Sequence, residues 1–111
     1  MNTMSYQVAA QDDGAGGFLP LILDKSNLGF SPADTYGSVQ ISCKNLEGGY
    51  FDIWFKPRGF SEFVIFIEGA SEADAVLLEN RFVFEAIRIE FSDLGVGAAP
   101  VACPAFIKRS F

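Results

Sequence analysis

Two aspartates beside a glycine are the first residues in this sequence whose types could do chemistry. Asp12, Asp13 and Gly14 place two carboxylates close together, and hard cations such as Ca²⁺ bind several oxygen ligands at once. The Asp-x-Asp-x-Asp-Gly spacing of a calcium loop is missing, which favours solvated loop acids. The same interpretation applies to three later acids, Glu72, Asp74 and Glu79. We therefore expect no metal and no cofactor.

The chain has two cysteines and no histidine. Cys43 and Cys103 lie outside any Cys-x-x-Cys pair, and the usual zinc spacings, histidine general bases and Cys-His nucleophile pairs are missing. Two buried free thiols are the favoured interpretation, and a disulfide between them is the alternative. No catalytic residues are predicted, and we do not expect an enzyme.

An aromatic pair offers a different kind of chemistry. Tyr50 and Trp54 flank Asp52 on the predicted outward face of one strand. Aromatic residues beside a carboxylate are typical of sugar-binding and protein-binding faces, because their rings supply contact area at low entropic cost. The alternative, favoured because aromatic residues are usually buried, is that this face packs under a loop or a second sheet.

Composition restricts the classes of partner. The net charge is −6, and the eight basic residues are scattered, so binding to a phosphate backbone is not expected. Only 20% of the residues are charged, while 12 are phenylalanine. Such a chain has little charge with which to cover its surface, so part of that surface is expected to be covered by a partner.

The elements that would position these residues are short strands. From Ser38 the sequence alternates, with Val39, Ile41 and Cys43 on one face, which predicts a strand with one buried side. Residues 45–49 are predicted to form a hairpin loop to the next strand, in which Phe51, Ile53 and Phe55 point inward. Five positions are predicted to be core: Ile53, Phe55, Ile65, Ile87 and Ile89.

Residues 63–67 are apolar at every position. If Phe63, Ile65 and Ile67 face the core, then Val64 and Phe66 need cover from a second sheet, a loop or a partner. The candidate interface or ligand face is therefore Tyr50, Trp54, Val64 and Phe66.

Proline, glycine and capping residues predict where strands, turns and flexible segments begin and end. Residues 1–8 are predicted to form a first strand. Because proline cannot donate to a ladder, the strand that contains Pro20 is predicted to lie at an edge or to start late, and Pro104 is predicted to mark an edge position. Residues 31–34 match one helical turn. Residues 75–78 are assigned to a strand followed by a turn at residues 79–80, with a short helix within residues 71–79 as a nearly equal alternative. Residues 9–17, rich in glycine, are predicted to be a flexible arm that orders on assembly.

Seven or eight short strands at this spacing, with no long amphipathic helix, predict an all-β fold. We expect a single domain over residues 1–111, built as an antiparallel β-sandwich or a jelly-roll-like fold. The N-terminus lacks a secretory pattern, and residues 14–23 are too short to span a bilayer, so a soluble protein made in the cytoplasm is expected.

The back half of the chain carries one resemblance. Residues 63–70, then residues 81–91, then a glycine-rich turn and a last strand are similar to small β-sandwich virion proteins of tailed bacteriophages. The resemblance covers about residues 38–108. It implies a structural module, either a head decoration or cement protein or a tail or neck accessory protein, and it assigns no functional residue.

The expected function is therefore protein–protein assembly in a virion, after synthesis in the host cytoplasm. The expected partners are other copies of the chain, in a homo-oligomer such as a trimer, and other virion proteins. Neither nucleic acid nor a membrane is expected to bind. A carbohydrate-binding or other ligand-binding module that uses Tyr50 and Trp54 is the alternative.

Overall fold

Two antiparallel sheets pack face to face over one apolar core in the computed structural model, which describes residues 3–29, 36–79, 84–97 and 99–108. Sheet I contains β1 (Thr3–Ser5), β2 (Val8–Ala9), β4 (Tyr36–Lys44), β7 (Val76–Glu79) and β9 (Val101–Lys108). Sheet II contains β3 (Leu21–Leu23), β5 (Tyr50–Pro57), β6 (Val64–Ala70) and β8 (Phe84–Ser92). One short helix, α1 (Lys25–Leu28), follows β3.

The strand order identifies the sandwich as a jelly roll. Sheet I runs β1/β2-β9-β4-β7 and sheet II runs β3-β8-β5-β6, so among the described strands β5 and β6 form the one hairpin that joins successive strands of the same sheet. Every other connection from β2 onward passes between the sheets. This is the double Greek-key arrangement of a jelly roll. The predicted all-β sandwich is confirmed.

The predicted hairpin at residues 45–49 is wrong. β4 pairs with β7 and β9, whereas β5 pairs with β6 and β8, so the loop between them carries the chain from sheet I to sheet II. The alternation that suggested adjacent strands arises because the inward residues of β4 and β5 meet across the core. Positive φ angles at Asn45, Glu47 and Gly48 make this crossing tight.

The core is made of the inward residues of both sheets. Val39, Ile41 and Cys43 from β4 are at most 3% exposed, and Phe51 and Ile53 from β5 are fully buried, as the alternation predicts. The other fully buried large apolar side chains include Leu23, Leu46, Ile87, Ile89 and Phe106. Four of the five predicted core residues lie in or against this cluster, and the fifth, Ile65, does not.

Pro104 lies in a central strand, so its predicted edge position is wrong. β9 runs between β4 and the β1/β2 edge. The Tyr6 N–H donates to the Pro104 carbonyl (3.0 Å), but proline has no N–H to complete the reciprocal bond. The registers of β1 and β2 on β9 are continuous, so the predicted first strand exists but is interrupted opposite Pro104.

Pro20 and the residues after it behave as predicted. β3 starts at Leu21 and is an edge strand, paired only with β8 among the described strands. The turn residues after it form α1. Its first turn has a capping box, in which the Asn27 side chain accepts from the Asp24 backbone N–H (2.9 Å) and the Asp24 carboxylate accepts from backbone N–H groups of the first turn. The predicted helical turn at residues 31–34 lies outside the described residues.

The ambiguous segment before β7 is a turn followed by a strand. The Asp74 carboxylate accepts hydrogen bonds from the backbone and hydroxyl of Ser71, which are capping-box contacts without a helix. Val76 and Leu78 then pair with Ile41 and Val39 of β4 and are buried. The strand assignment is confirmed because sheet pairing outweighs a helix of barely two turns.

The glycine-rich segment forms a closed loop. The Asp12 carboxylate accepts from the Gly14 N–H (2.6 Å), and that of Asp13 accepts from Ala15 (2.7 Å) and Gly17 (3.0 Å). These bonds hold the pKa of Asp13 below its usual value. The predicted arm begins too early, because Ala9 belongs to β2 and Ala10 is 6% exposed. Mobility of the remaining loop stays a prediction for amide hydrogen exchange.

Two loops close one end of the sandwich. The Gly95 N–H donates to the Leu46 carbonyl (3.2 Å), and the Glu72 carboxylate accepts from the backbone N–H groups of Leu46 and Glu47. A carboxylate that accepts two backbone N–H groups makes strong, charge-assisted bonds. Glu72 was predicted to lie on a solvated face, but it helps to hold the loop of residues 45–49 in place.

This close approach predicts different effects for two glycines. A Cβ at Gly95 would lie 2.5 Å from the Glu47 carbonyl oxygen, whereas a Cβ at Gly97 would meet only the Glu47 side chain, nearest at 2.9 Å. Backbone cannot move aside cheaply, so Gly95→Ala should cost about 1–3 kcal/mol, as overpacking does. Gly97→Ala should change stability by less than about 0.5 kcal/mol, as surface substitutions do. Urea melts of both variants measure the difference, and equal effects would contradict it.

Candidate functional site

The candidate site is the region around β6, the edge strand of sheet II. Among the described strands β6 pairs only with β5, so its other side presents backbone N–H and C=O groups along an open edge. Its first three residues are exposed although they are large and apolar: Val64 is 41% exposed, Ile65 37% and Phe66 47%. Phe60, in the preceding turn, is 59% exposed.

A bulge at Phe66 changes the predicted alternation of β6. Val64 lies opposite Phe55 and Ile67 opposite Ile53, both inward-pointing residues, whereas Ile65 lies opposite Trp54 on the outer face. Ile65 was predicted to be core, and that prediction is wrong. The strict period of two fails because the bulge shifts the register between Ile65 and Ile67.

Phe66 is the residue that the bulge leaves unpaired in the ladder. Its ring packs edge-on against Phe55, with centroids 6.2 Å apart. It is nevertheless almost half exposed, because no strand lies beyond β6 in the described structure. The prediction that Val64 and Phe66 need cover therefore agrees with their exposure, although Ile65 needs it as well.

The outer face of sheet II beside β6 holds a stack of three side chains. The Arg88 guanidinium lies 4.7 Å from the ring centroid of Trp54 and 4.9 Å from that of Phe63. Trp54 and Arg88 are direct neighbours across β5 and β8. An Nη of Arg88 also lies 3.0 Å from a carboxylate oxygen of Glu90. Cation–π contacts at partly exposed sites contribute about 0.5–1 kcal/mol each, so this stack holds its side chains in place.

The predicted aromatic pair is not one surface. Tyr50 is 42% exposed, but four positions along β5 separate it from Trp54, about 13 Å in a strand. Trp54 is half-buried, and Arg88 covers one face of its indole. The Asp52 carboxylate between them accepts from the Gly69 N–H (2.8 Å). A bound sugar could therefore not stack on the indole face of Trp54 that Arg88 covers. The Asp52 carboxylate, which the sequence suggested as a sugar ligand, already accepts a hydrogen bond from the backbone.

Two donors in the stack have no hydrogen-bond partner among the described residues. Trp54 Nε1 and Arg88 Nε are both buried. A buried unpaired donor costs about 1–3 kcal/mol, so an acceptor there would be stabilising. We call Trp54, Phe63, Ile65 and Arg88 the outer patch. It combines the residue types most enriched in interface hot spots.

The rest of the described structure offers little chemistry. No cluster of three or more metal-ligating side chains occurs among the described residues. A shallow depression of about 480 Å³ lies between Asp13 and Asp93, and another of about 380 Å³ lies between α1 and Lys56. Both open widely to solvent. The Asp12 and Asp13 carboxylates bind loop N–H groups instead.

The two cysteines are free, as the favoured interpretation predicts. Cys43 lies opposite Ala102 and points into the core, whereas Cys103 lies opposite Ser42 on the outer face of sheet I. A disulfide needs Cβ atoms that face each other, and these point to opposite sides of the sheet. Cys103 is half-buried rather than buried.

Comparison with known proteins gives no family to which this chain could be assigned. No protein-family model matches it, and no curated protein matches it either. No helix in the described part of the chain is long and apolar enough to span a membrane. The geometry of the site therefore has to support any proposal about function.

Proposed function

We propose that this protein is a structural module that works by protein–protein assembly through β6 and the outer patch. One observation supports it above the others: an open edge strand begins with three exposed apolar residues, Val64, Ile65 and Phe66. Edge strands of this kind usually pair with another chain unless charge, proline or a cover protects them. Here the apolar residues lie beside an ordered Trp–Arg–Phe stack, which suits a docking partner.

A virion component is the specific form of this proposal. The likeness of residues 38–108 to small phage virion proteins suggests it, and jelly rolls occur among viral capsid domains. Fold analogy alone assigns no activity, because lectin domains share the same architecture. Cement, decoration and tail accessory proteins all act by covering apolar surface on themselves or on a shell, which is the role that the β6 region suits.

Phe66→Glu should abolish self-association while leaving the fold intact. A glutamate at position 66 can reach water in the free chain, but an interface would bury its charge without a partner. Leu77→Glu is the matched control, because Leu77 is 49% exposed on β7 in the other sheet. The measurement is the mass of each protein by light scattering after size exclusion, with circular dichroism to confirm folding.

Salt provides a second arm of the same experiment. Apolar contacts are not weakened by screening, whereas ion pairs are. The assembly of the wild type should therefore survive high salt and survive Leu77→Glu. A wild-type monomer at every salt and protein concentration, or an assembly that dissociates on adding salt, would overturn the proposed function.

A further inference from the structure

Resting on this proposed function, we propose that β6 pairs antiparallel with β6 of a second copy, which makes a two-fold dimer with one continuous eight-stranded sheet. The partner is the same chain, and the contact is a backbone ladder at the edge of sheet II. The inference starts from a comparison of the four sheet edges in the described structure.

Three of those edges are protected. The β1/β2 edge is interrupted opposite Pro104 and has two short pieces. β7 is four residues long, and β3 is three residues long with Pro20 immediately before it. Short strands and prolines are the usual ways to prevent edge pairing. β6 is seven residues long, contains no proline and carries one charge, Glu68.

Charge along the β6 region favours an antiparallel copy. Residues 68–74 contain three acids and no base, which gives a net charge of −3, whereas Arg58 and Glu62 cancel in residues 58–63. A parallel copy would set two acidic ends side by side. An antiparallel copy sets each acidic end beside a neutral one, which avoids like-charge repulsion across the pair.

The apolar residues place the two-fold axis. Centring the two-fold axis on Ile65 sets Ile65 opposite its own copy and Val64 opposite Phe66, because a symmetric antiparallel pair has one residue that lies opposite itself. The two Glu68 side chains are then six positions apart, roughly 20 Å, which exceeds the Debye length of about 8 Å at physiological ionic strength. Because such a dyad uses the open edge of both copies, and the other edges are protected, growth stops at two chains.

A cysteine at the axis tests this pairing. In a Cys103→Ser background, Ile65→Cys should be joined to itself by a short bifunctional maleimide, which shifts most chains to twice the monomer mass. Leu77→Cys, on the β7 edge, should stay at the monomer mass. Adding Phe66→Glu to Ile65→Cys should abolish the covalent dimer.

The outcomes separate the two proposals. A dimer that crosslinks through position 65 and not through position 77 supports the pairing. A trimer or larger ring, or a dimer that does not crosslink at position 65, would overturn the pairing but leave assembly through the β6 region standing if Phe66→Glu still dissociates it. A wild type that stays monomeric at every concentration would overturn both.

Discussion

Replacing Ile89 with alanine should lower the free energy of unfolding by about 2–5 kcal/mol, the usual cost of truncating a buried isoleucine. Ile89 is fully buried between the sheets, opposite Ile53 of β5 and Leu21 of β3. The truncation removes buried methyl groups and leaves a cavity that rigid strands on both sides cannot fill. Urea melts monitored by circular dichroism measure the loss.

Ile65→Ala is the matched control for this experiment. The side chain and the truncation are the same, but Ile65 is 37% exposed at the edge of sheet II. Its loss should stay under about 1 kcal/mol, since surface changes are usually small. The measurement belongs at a protein concentration where the chain is monomeric. Equal losses at the two positions would mean that the inward face of sheet II is wrongly assigned.

Alkaline pH should destabilise the wild type through Cys43. Burial, with a smaller effect from nearby Cys103, raises the pKa of the Cys43 thiol from 9.0 to about 12. Below pH 9 the thiol keeps its proton in both folded and unfolded chains. Above pH 9 only the unfolded chain releases it, so stability falls by about 1.4 kcal/mol per pH unit. The total by pH 12 is on the order of 4 kcal/mol.

Cys43→Ala should remove this slope. Other groups also titrate above pH 9, so the quantity to measure is the difference in unfolding free energy between wild type and variant at pH 8, 10 and 11. That difference should shrink as the pH rises. A difference that is constant with pH would show that Cys43 is not desolvated in the folded chain.

The sequence predicts much of the local structure because alternation is a local signal. The buried faces of β4 and β5, the late start of β3 after Pro20 and the strand at β7 all follow from residue types and spacing. It does not predict which strands are neighbours. The wrong hairpin at residues 45–49 and the central position of Pro104 have this same cause, since period-two patterns look alike whether the partner lies alongside or across the core.

The sequence predicts part of the surface on which the candidate site lies, and the role of that surface stays a prediction. The exposure of Tyr50, Val64 and Phe66 agrees with the predicted face. The alternation along β5 also predicted that Trp54 points outward, and Trp54 lies in the outer patch. Arg88 and Phe63 complete the stack, but they come from other parts of the chain and meet Trp54 only after β8 pairs with β5. The bulge at Phe66 leaves no signal in a run of five apolar residues, so Ile65 was assigned to the wrong side.

The central position of β9 has a consequence for how the chain folds during translation. β9 is the last of the described strands to leave the ribosome, yet it joins β1/β2 to β4, and Thr3 finds its partner only at Ile107. Until then β1 and β2 have no bridge to the β4–β7 pair, and sheet I is incomplete. Non-local pairing of this kind folds slowly and exposes nascent chains to aggregation, so synthesis should benefit from a chaperone that holds the incomplete sandwich.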